Sequence, residues 1–227
     1  EGYVTKDVIT FYDQRSKDVG LVIVEATAVQ KSGRIVPHGL GLWEDGQIEK
    51  MAHLVQTIKK NGACAVLQLN HSGPRCIPLE NEPFGFSPST VVSKPGIKPL
   101  TMTRDHIDQL ILDFEKASIR AAEAGFDGVE IHGAHLYLLS QFLSPLTNHR
   151  KDEYGSDLRG RANLAIKIIK SVKQALGNDY PVFFRLNAVE KIEGGLILED
   201  SLEIVKLIKK EGVDVLDISL IAGGGWK

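Results

Sequence analysis

The run "GVEIHG" at residues 128–133 bears directly on the fold, because its side chains alternate in character. Successive side chains of an extended strand point to opposite faces. Val129 and Ile131 therefore share one face of the predicted strand, and Glu130 and His132 share the other. The strand has an apolar face and a polar face, and the polar face extends to its C-terminal end.

Two further apolar runs repeat this alternation. In "VLQLN" Gln68 and Asn70 oppose the leucines, and in "FFRLN" Arg185 and Asn187 oppose a phenylalanine and a leucine. Three predicted strands thus carry polar side chains on one face near their C-terminal ends.

The whole chain is organised as a repeated unit of helix, glycine and strand. Strand-like runs occupy 21–26, 64–69, 128–133, 181–187 and 213–220, and helical periodicity marks 6–19, 46–60, 103–124, 160–176 and 198–210. Several helical segments close on a glycine, where a left-handed C-cap is expected before the next strand. Such units predict a parallel sheet, either doubly wound or closed as a (β/α)8 barrel.

The polar strand faces favour the barrel. Both faces of a doubly wound sheet lie under helices, where unpaired polar groups are costly. In a TIM barrel, inward side chains at the C-terminal strand ends line the mouth in which active sites form. We therefore predict an α/β fold of the (β/α)8 TIM barrel class. Because a complete barrel takes about 250 residues, we expect 1–227 to be a single, partial barrel domain without the first strand and the last units.

A proline-rich segment follows the second predicted strand. Residues 70–101 contain six of the nine prolines and show no clear periodicity. Loops of this length in compact domains are often functional, so the segment is either a wall of the active site or a plain surface excursion.

Composition excludes several classes of protein. The chain is 43% apolar with 27 basic and 29 acidic residues, which is ordinary for a globular domain and predicts no nucleic-acid partner. No apolar run approaches the roughly 18 residues of a membrane span, and the start shows neither a signal peptide nor a methionine, so we expect the natural N-terminus to be missing. Cys64 and Cys76 form no CxxC pair, which favours a reduced, cytoplasmic setting.

Three polar rings follow the strand at 128–133. His132 and His135 are three residues apart, and a metal site with His149 as a third ligand is one interpretation. A second interpretation makes both imidazoles loop residues with satisfied hydrogen bonds. A third places both imidazoles and Tyr137 in proton chemistry, and it is favoured because two His and a Tyr fall within six residues at a strand's C-terminal end. The metal interpretation is weak, because His132 belongs to the strand, His135 to the turn after it, and no HExxH pattern is present.

The segment "EIHGAHLYLLSQFLSPLTNHRKDEYG" resembles the characteristic motif of the Old Yellow Enzyme family, in its bacterial branch with paired histidines. "VEATAV", "VLQLNHSG" and "FFRLNA" resemble the neighbouring strand motifs of that family, in the same order. The resemblance implies a TIM barrel with FMN at its mouth. It implies an enzyme in which NAD(P)H reduces the flavin, and an α,β-unsaturated carbonyl compound or similar electron-poor alkene reoxidises it.

The family pattern also implies roles for individual residues. His132 and His135 match the pair that binds the substrate's carbonyl oxygen, and Tyr137 matches the proton donor. Three more residues match positions beside the flavin, namely Gln68 and Arg185 at its pyrimidine end and Ala26 beside the ring system.

The sequence departs from the family pattern after "DEYG", where it continues "SDLRGR", and we expect a different local turn there. The expected lack of the last barrel units would remove the phosphate site, so this chain should bind FMN weakly or not at all. Exposed sheet edges would favour association, and we expect a homo-oligomer. The alternatives are a dienoyl-CoA reductase or amine dehydrogenase of the same family, or a non-catalytic barrel fragment.

Overall fold

The computed structural model describes residues 2–76, 85–90 and 99–222, and these form strands that alternate with helices. The strands are β1 (Leu21–Ala28), β2 (Cys64–Asn70), β3 (Phe86–Ser87), β4 (Leu100–Thr101), β5 (Gly128–Gly133), β6 (Val182–Lys191) and β7 (Val215–Ala222). The helices are α1 (Lys6–Arg15), α2 (Ile48–Lys60), α3 (Arg104–Glu123), α4 (Leu138–Leu143), α5 (Leu158–Leu176) and α6 (Leu198–Lys210).

The five long strands form one parallel sheet in the order β1-β2-β5-β6-β7. Each of these strands pairs with the next long strand along the chain. In a doubly wound sheet the order would reverse at a switch point, whereas a barrel continues in one direction. The unbroken order therefore identifies consecutive strands of a barrel, as predicted.

The apolar face of the sheet packs against the long helices. Leu67 and Leu69 of β2, and Val129 and Ile131 of β5, are fully buried in a single hydrophobic core. Every long helix from α1 to α6 contributes buried side chains to this core. Burial of apolar surface is the main stabilising contribution here, at about 25 cal/mol per Å². The polar strand residues consequently lie on the opposite, inner face of the sheet.

Glycine ends three of the helix-to-strand connections, as the sequence predicts. Gly62, Gly125 and Gly212 follow α2, α3 and α6 with φ of +91°, +93° and +102°. An L residue with a side chain rarely adopts this backbone conformation, so glycine releases the chain from the helix at little cost.

Two features lie within segments for which the sequence predicts no regular structure. The short strands β3 and β4 pair in parallel inside the proline-rich segment, whose residues 77–84 and 91–98 lie outside the described residues. The helix α4 follows the ring cluster directly, and all six of its residues are buried.

The last described strand leaves apolar side chains exposed. Leu216 and Ile218 lie opposite Phe184 and Leu186 in the register and so belong to the helix-facing side of β7. Their exposed fractions are 37% and 56%. Within the described residues β7 pairs only with β6. No helix in the described ranges has the length and apolar character needed to cross a bilayer.

Candidate active site

The inner face of the sheet carries polar side chains at the C-terminal ends of neighbouring strands. Gln68 of β2, His132 of β5 and Arg185 of β6 all lie in the phase opposite the core. The pairing register places His132 directly beside Arg185. The structure thus brings the polar residues of three predicted strands to one edge of the sheet.

His132 is a neutral imidazole with a defined proton position. The backbone N–H of Ala134 donates to its Nδ1 over 3.2 Å, so the ring proton resides on Nε2. Burial first, and then the electrostatic effect of the neighbouring His135 ring and of the Arg185 guanidinium, lowers the pKa of His132 to about 3. His132 therefore offers a fixed Nε2–H donor at neutral pH.

His135 lies on a left-handed turn that the surrounding structure holds in place. His135 and Leu136 have φ of +61° and +55°, a conformation that costs free energy for residues with side chains. The backbone N–H of His135 donates to Asn187 Oδ1 over 3.2 Å, and that of Leu136 donates to Ser140 Oγ over 3.1 Å. These hydrogen bonds to buried side chains offset the backbone strain and fix the orientation of the imidazole.

The His135 ring makes one side-chain hydrogen bond, with Nε2 lying 2.7 Å from Ser219 Oγ of β7. Burial first, and then the charge of Arg185, lowers the pKa of His135 below its ordinary value. Both histidines are therefore neutral in the physiological pH range.

Tyr137 completes a cluster of three rings at the start of α4. The ring centroid of His132 lies 5.1 Å from those of both His135 and Tyr137, and His135 and Tyr137 are 6.4 Å apart. Tyr137 is the N-cap residue of α4 and is partly exposed. The three rings that the sequence singles out thus form one partly exposed cluster.

Gln68 and Arg185 are each held by a carboxylate on the inner face. Gln68 Nε2 donates to Glu130 Oε1 over 2.6 Å. Arg185 Nε lies 3.2 Å from Asp217 Oδ2 in an ion pair that lacks the alignment of a hydrogen bond. Gln68 and Glu130 are almost fully buried, whereas Arg185 and Asp217 are partly exposed.

Ala26 lies at the C-terminal end of β1, one strand away from Gln68. It falls in the irregularity between the pairs Val24↔Leu67 and Thr27↔Leu69, which places it at the level of Gln68. Ala26 lines a cavity of about 220 Å³, together with Asn70 and residues of the loop after β1. It therefore borders the same inner face but belongs to a different part of it from the ring cluster.

Unpartnered buried polar atoms mark this face. Of the four buried side-chain atoms without a hydrogen-bond partner in the described residues, Asn70 Oδ1, Glu130 Oε2 and Arg185 Nε belong to it. Buried polar groups are normally paired, so unpaired ones call for an explanation such as a ligand or a proton.

The described residues contain no group of three or more His, Cys, Asp or Glu side chains arranged to hold a metal ion. Cys64 is exposed and Cys76 is half-buried, and both are free thiols.

Several residues that shape the site received no role from the sequence. Asp217 and Ser219 are in phase on β7, and Asn187 and Ser140 hold the turn at His135. The alternation "LDIS" at 216–219 was a signal for the first two. The role of Ser140 depends on a left-handed turn that no local pattern indicates.

Comparison with known proteins places the chain among flavin enzymes. The model of the NADH:flavin oxidoreductase / NADH oxidase family matches residues 1–223. The NADPH dehydrogenase of Listeria welshimeri is 43% identical over 201 residues, which cover 88% of this chain and 58% of that protein. The chain thus spans about three fifths of the length of this relative.

Solved structures agree with the fold. Old Yellow Enzyme from Pichia sp. superposes with a TM-score of 0.86 at 28% identity, covering 96% of this chain and 63% of that one. A 2-naphthoyl-CoA reductase superposes with a TM-score of 0.92 at 26% identity, covering 98% of this chain and 36% of that one. The predicted fold, a partial TIM barrel, is confirmed.

Proposed function

The chain belongs to the NADH:flavin oxidoreductase / NADH oxidase family, and from that premise we propose that the protein passes hydride from NAD(P)H through FMN to an electron-poor alkene. The membership confirms the resemblance drawn from the sequence. It also confirms FMN and NAD(P)H as the cofactor and reductant of this kind of enzyme. The observation that carries the alkene proposal is the cluster of two neutral imidazoles and a phenol at the end of β5.

The residues of the inner face fit the ring system of FMN. Gln68 and Arg185 would hold its pyrimidine end, and the backbone at Ala26 would lie beside the rings. Arg185 is partly exposed on this face beside Asp217, and its guanidinium donors suit a polar heterocycle with hydrogen-bonding edges. FMN, when bound, supplies the hydride chemistry that no side chain can provide.

His132 and His135 act on the substrate in this proposal. Hydride addition to one alkene carbon builds negative charge on the carbonyl oxygen of an α,β-unsaturated compound. An N–H donor aimed at that oxygen stabilises the charge more than it stabilises the ground state. The fixed Nε2–H of His132 is such a donor, and it needs no change of protonation during turnover.

Tyr137 delivers the proton to the other alkene carbon. A phenol carries an O–H proton that it can donate as a general acid. Its ring lies against His132 and at the partly open side of the cluster, so one substrate can meet both groups.

Two half-reactions test the proposal. At saturating FMN and without oxygen, NADPH should bleach the flavin absorbance and a simple cyclic enone such as cyclohexenone should restore it. In Tyr137→Phe the reoxidation should be slowed while the bleaching stays near the wild-type rate. A flavin that the enone leaves reduced, or equal slowing of both steps, would contradict the assigned chemistry.

A second candidate substrate class is an aromatic or unsaturated acyl-CoA thioester. The high TM-score with the 2-naphthoyl-CoA reductase favours it, although that likeness concerns a fold shared at 26% identity. A thioester carbonyl would use the same N–H donors. Reoxidation by an enoyl-CoA thioester at a rate well above that of the free enone would favour this candidate.

A further inference from the structure

One buried amide, that of Asn187, attaches the turn between β5 and α4 to the strand β6. The backbone N–H of His135 donates to Asn187 Oδ1 over 3.2 Å, and Asn187 Nδ2 donates to Ser140 Oγ over 3.2 Å. Because a backbone N–H can only donate, the amide atom that faces His135 is the oxygen, and the orientation of the amide is determined. Asn187 and Ser140 are both buried, so water does not compete for these hydrogen bonds.

Ser140 passes the attachment on to the rest of the turn. Its Oγ also accepts a hydrogen bond from the Leu136 N–H over 3.1 Å, and Gln141 Nε2 donates to the Leu136 carbonyl over 3.0 Å. The next residue, Tyr137, is the N-cap of α4. Asn187 thus holds, directly or through Ser140, the backbone from which the rings of His135 and Tyr137 project.

Asn187 is itself fixed within a rigid part of the sheet. It pairs with Ser219 of β7 in the last regular pair before the register shifts. From the helix side, Ser201 Oγ at the start of α6 donates to the Asn187 carbonyl over 3.1 Å. Arg185 lies two residues earlier on the same face of β6, which is roughly 7 Å along the strand.

We propose that Asn187 is a positioning residue for the reaction, and that it ties His135 and Tyr137 to the strand that carries Arg185. One strand then places both the rings that act on the substrate and a residue that would hold the flavin. This inference rests on the proposed function and deepens it. Hydride transfer needs its two carbon or nitrogen centres about 3–3.5 Å apart, and a misplacement of about 1 Å can cost roughly 100-fold in rate. A shared strand limits that misplacement.

Amide hydrogen exchange of the 227-residue chain, followed by NMR, tests the attachment without any ligand. In Asn187→Ala the His135 N–H loses its acceptor and should exchange about tenfold faster or more, as for one lost hydrogen bond. Ser140→Ala is the second variant, made from the other end of the bridge. It should speed the exchange of the Leu136 N–H in the same way.

The matched control is Asn148→Ala, because Asn148 is another buried asparagine bound to α4, at the end of the helix remote from the rings. Its Nδ2 donates to the carbonyls of Phe142 and Tyr154, and its Oδ1 accepts from the Arg150 N–H. The control should lower stability and speed exchange at Arg150. It should leave the exchange of the His135 N–H unchanged.

The two half-reactions test the positioning. At saturating FMN, Asn187→Ala should lower the limiting rate of flavin reoxidation by cyclohexenone about 10- to 100-fold, because alignment is lost. The enone concentration that gives half of this rate should change by less than about threefold, since both imidazoles remain. FMN affinity and the rate of reduction by NADPH should stay near wild type. Asn148→Ala should leave all four quantities near wild type.

Each outcome decides one part of the inference. Unchanged exchange of the His135 N–H in Asn187→Ala overturns the attachment. Equal slowing of both half-reactions, or the same slowing in Asn148→Ala, indicates a general loss of stability and overturns the positioning role. If circular dichroism shows Asn187→Ala to be unfolded, wild-type rates in Ser140→Ala overturn it instead. If the enone does not reoxidise the wild-type flavin, the proposed function fails, and the exchange rates still decide whether Asn187 holds the turn.

Discussion

The imidazole of His132 is held in one tautomer by a backbone N–H, and this makes its catalytic contribution measurable. We expect His132→Ala to slow the reoxidation of flavin by an enone about 100- to 1,000-fold, as for one donor to developing oxygen charge. Reduction by NADPH should change much less. Stopped-flow absorbance separates the two steps.

The control for this substitution is His53→Ala, because His53 is exposed on α2 and remote from the ring cluster. It should leave both rates at their wild-type values. Equal slowing of both steps in His132→Ala would instead indicate a role for His132 in flavin binding or in the fold.

Glu130 should also give stability a particular pH dependence. Burial raises its pKa from the ordinary 4.5 to about 7 on folding, so the folded state holds the proton more tightly than the unfolded state. The stabilisation is complete below pH 4.5 and is lost as the pH rises through about 7. In Glu130→Gln the side chain at this position does not titrate, so this pH dependence is absent.

The free energy of unfolding of wild type minus that of Glu130→Gln should therefore fall between pH 4.5 and about 7, and level off above. Urea unfolding at a series of pH values measures it. The lowered pKa values of His132 and His71 raise the free energy of unfolding as the pH rises. This effect is the same in both proteins and cancels in the difference. A difference that is constant with pH would exclude the raised pKa.

At the scale of single residues, alternation in the sequence was sufficient to place Gln68, His132 and Arg185 on the inner face. It was insufficient to give Glu130 a role, because a hydrogen bond between strands depends on their register. The assigned functions of the ring cluster and of Ala26 stay predictions.

At the scale of elements, β5 and β6 pack so closely that glycine is required at the end of β5. A Cβ on Gly133 would lie 2.4 Å from Cζ of the fully buried Phe184. We expect Gly133→Ala to lower the free energy of unfolding by about 1–3 kcal/mol, the usual cost of overpacking.

Chemical denaturation measures this effect, and Gly20→Ala is the matched control. No atom lies within 4 Å of a Cβ at Gly20, so that change should stay within about 0.5 kcal/mol of wild type. Equal stability of the two variants would contradict the close packing of Gly133 on Phe184.

The sequence patterns missed the elements that show no hydrophobic periodicity. The strands β3 and β4 have two residues each, too few to show alternation. The helix α4 is buried on all sides, so it has no polar face to give it amphipathic periodicity. The strand β6 runs past its predicted end at 187 to Lys191, because its pairing with β7 resumes at Glu190 after a shift of register, where the alternation in sequence also changes phase.

At the scale of the whole molecule, the exposed side chains of β7 should drive association of this chain. Burying the exposed 56% of Ile218 would contribute about 1–2 kcal/mol, or roughly tenfold in a dissociation constant. We expect Ile218→Lys to weaken association by that factor in sedimentation velocity experiments.

Leu112→Lys is the control, because Leu112 is similarly exposed but lies on α3. It should leave the association unchanged. A wild-type chain that stays monomeric at high concentration would show that the β7 face is tolerated in water, and would contradict the expected homo-oligomer.

The overall architecture was predictable because the repeated units and the polar strand faces of the sequence indicate the same fold. The repeated units indicate a parallel sheet, and the polar phase indicates a barrel in which all helices lie outside. The pairing register was not predictable, since apolar strand faces of this kind are compatible with several alignments.

The strand order has a consequence for how the molecule is made. The strands β2, β5, β6 and β7 each pair with the long strand synthesised before them, so that partner is already present when they leave the ribosome. The sheet can therefore gain one strand at a time, without waiting for distant segments to close long loops. At every stage the most recently made strand leaves unpaired backbone groups, which the next strand pairs with when it emerges.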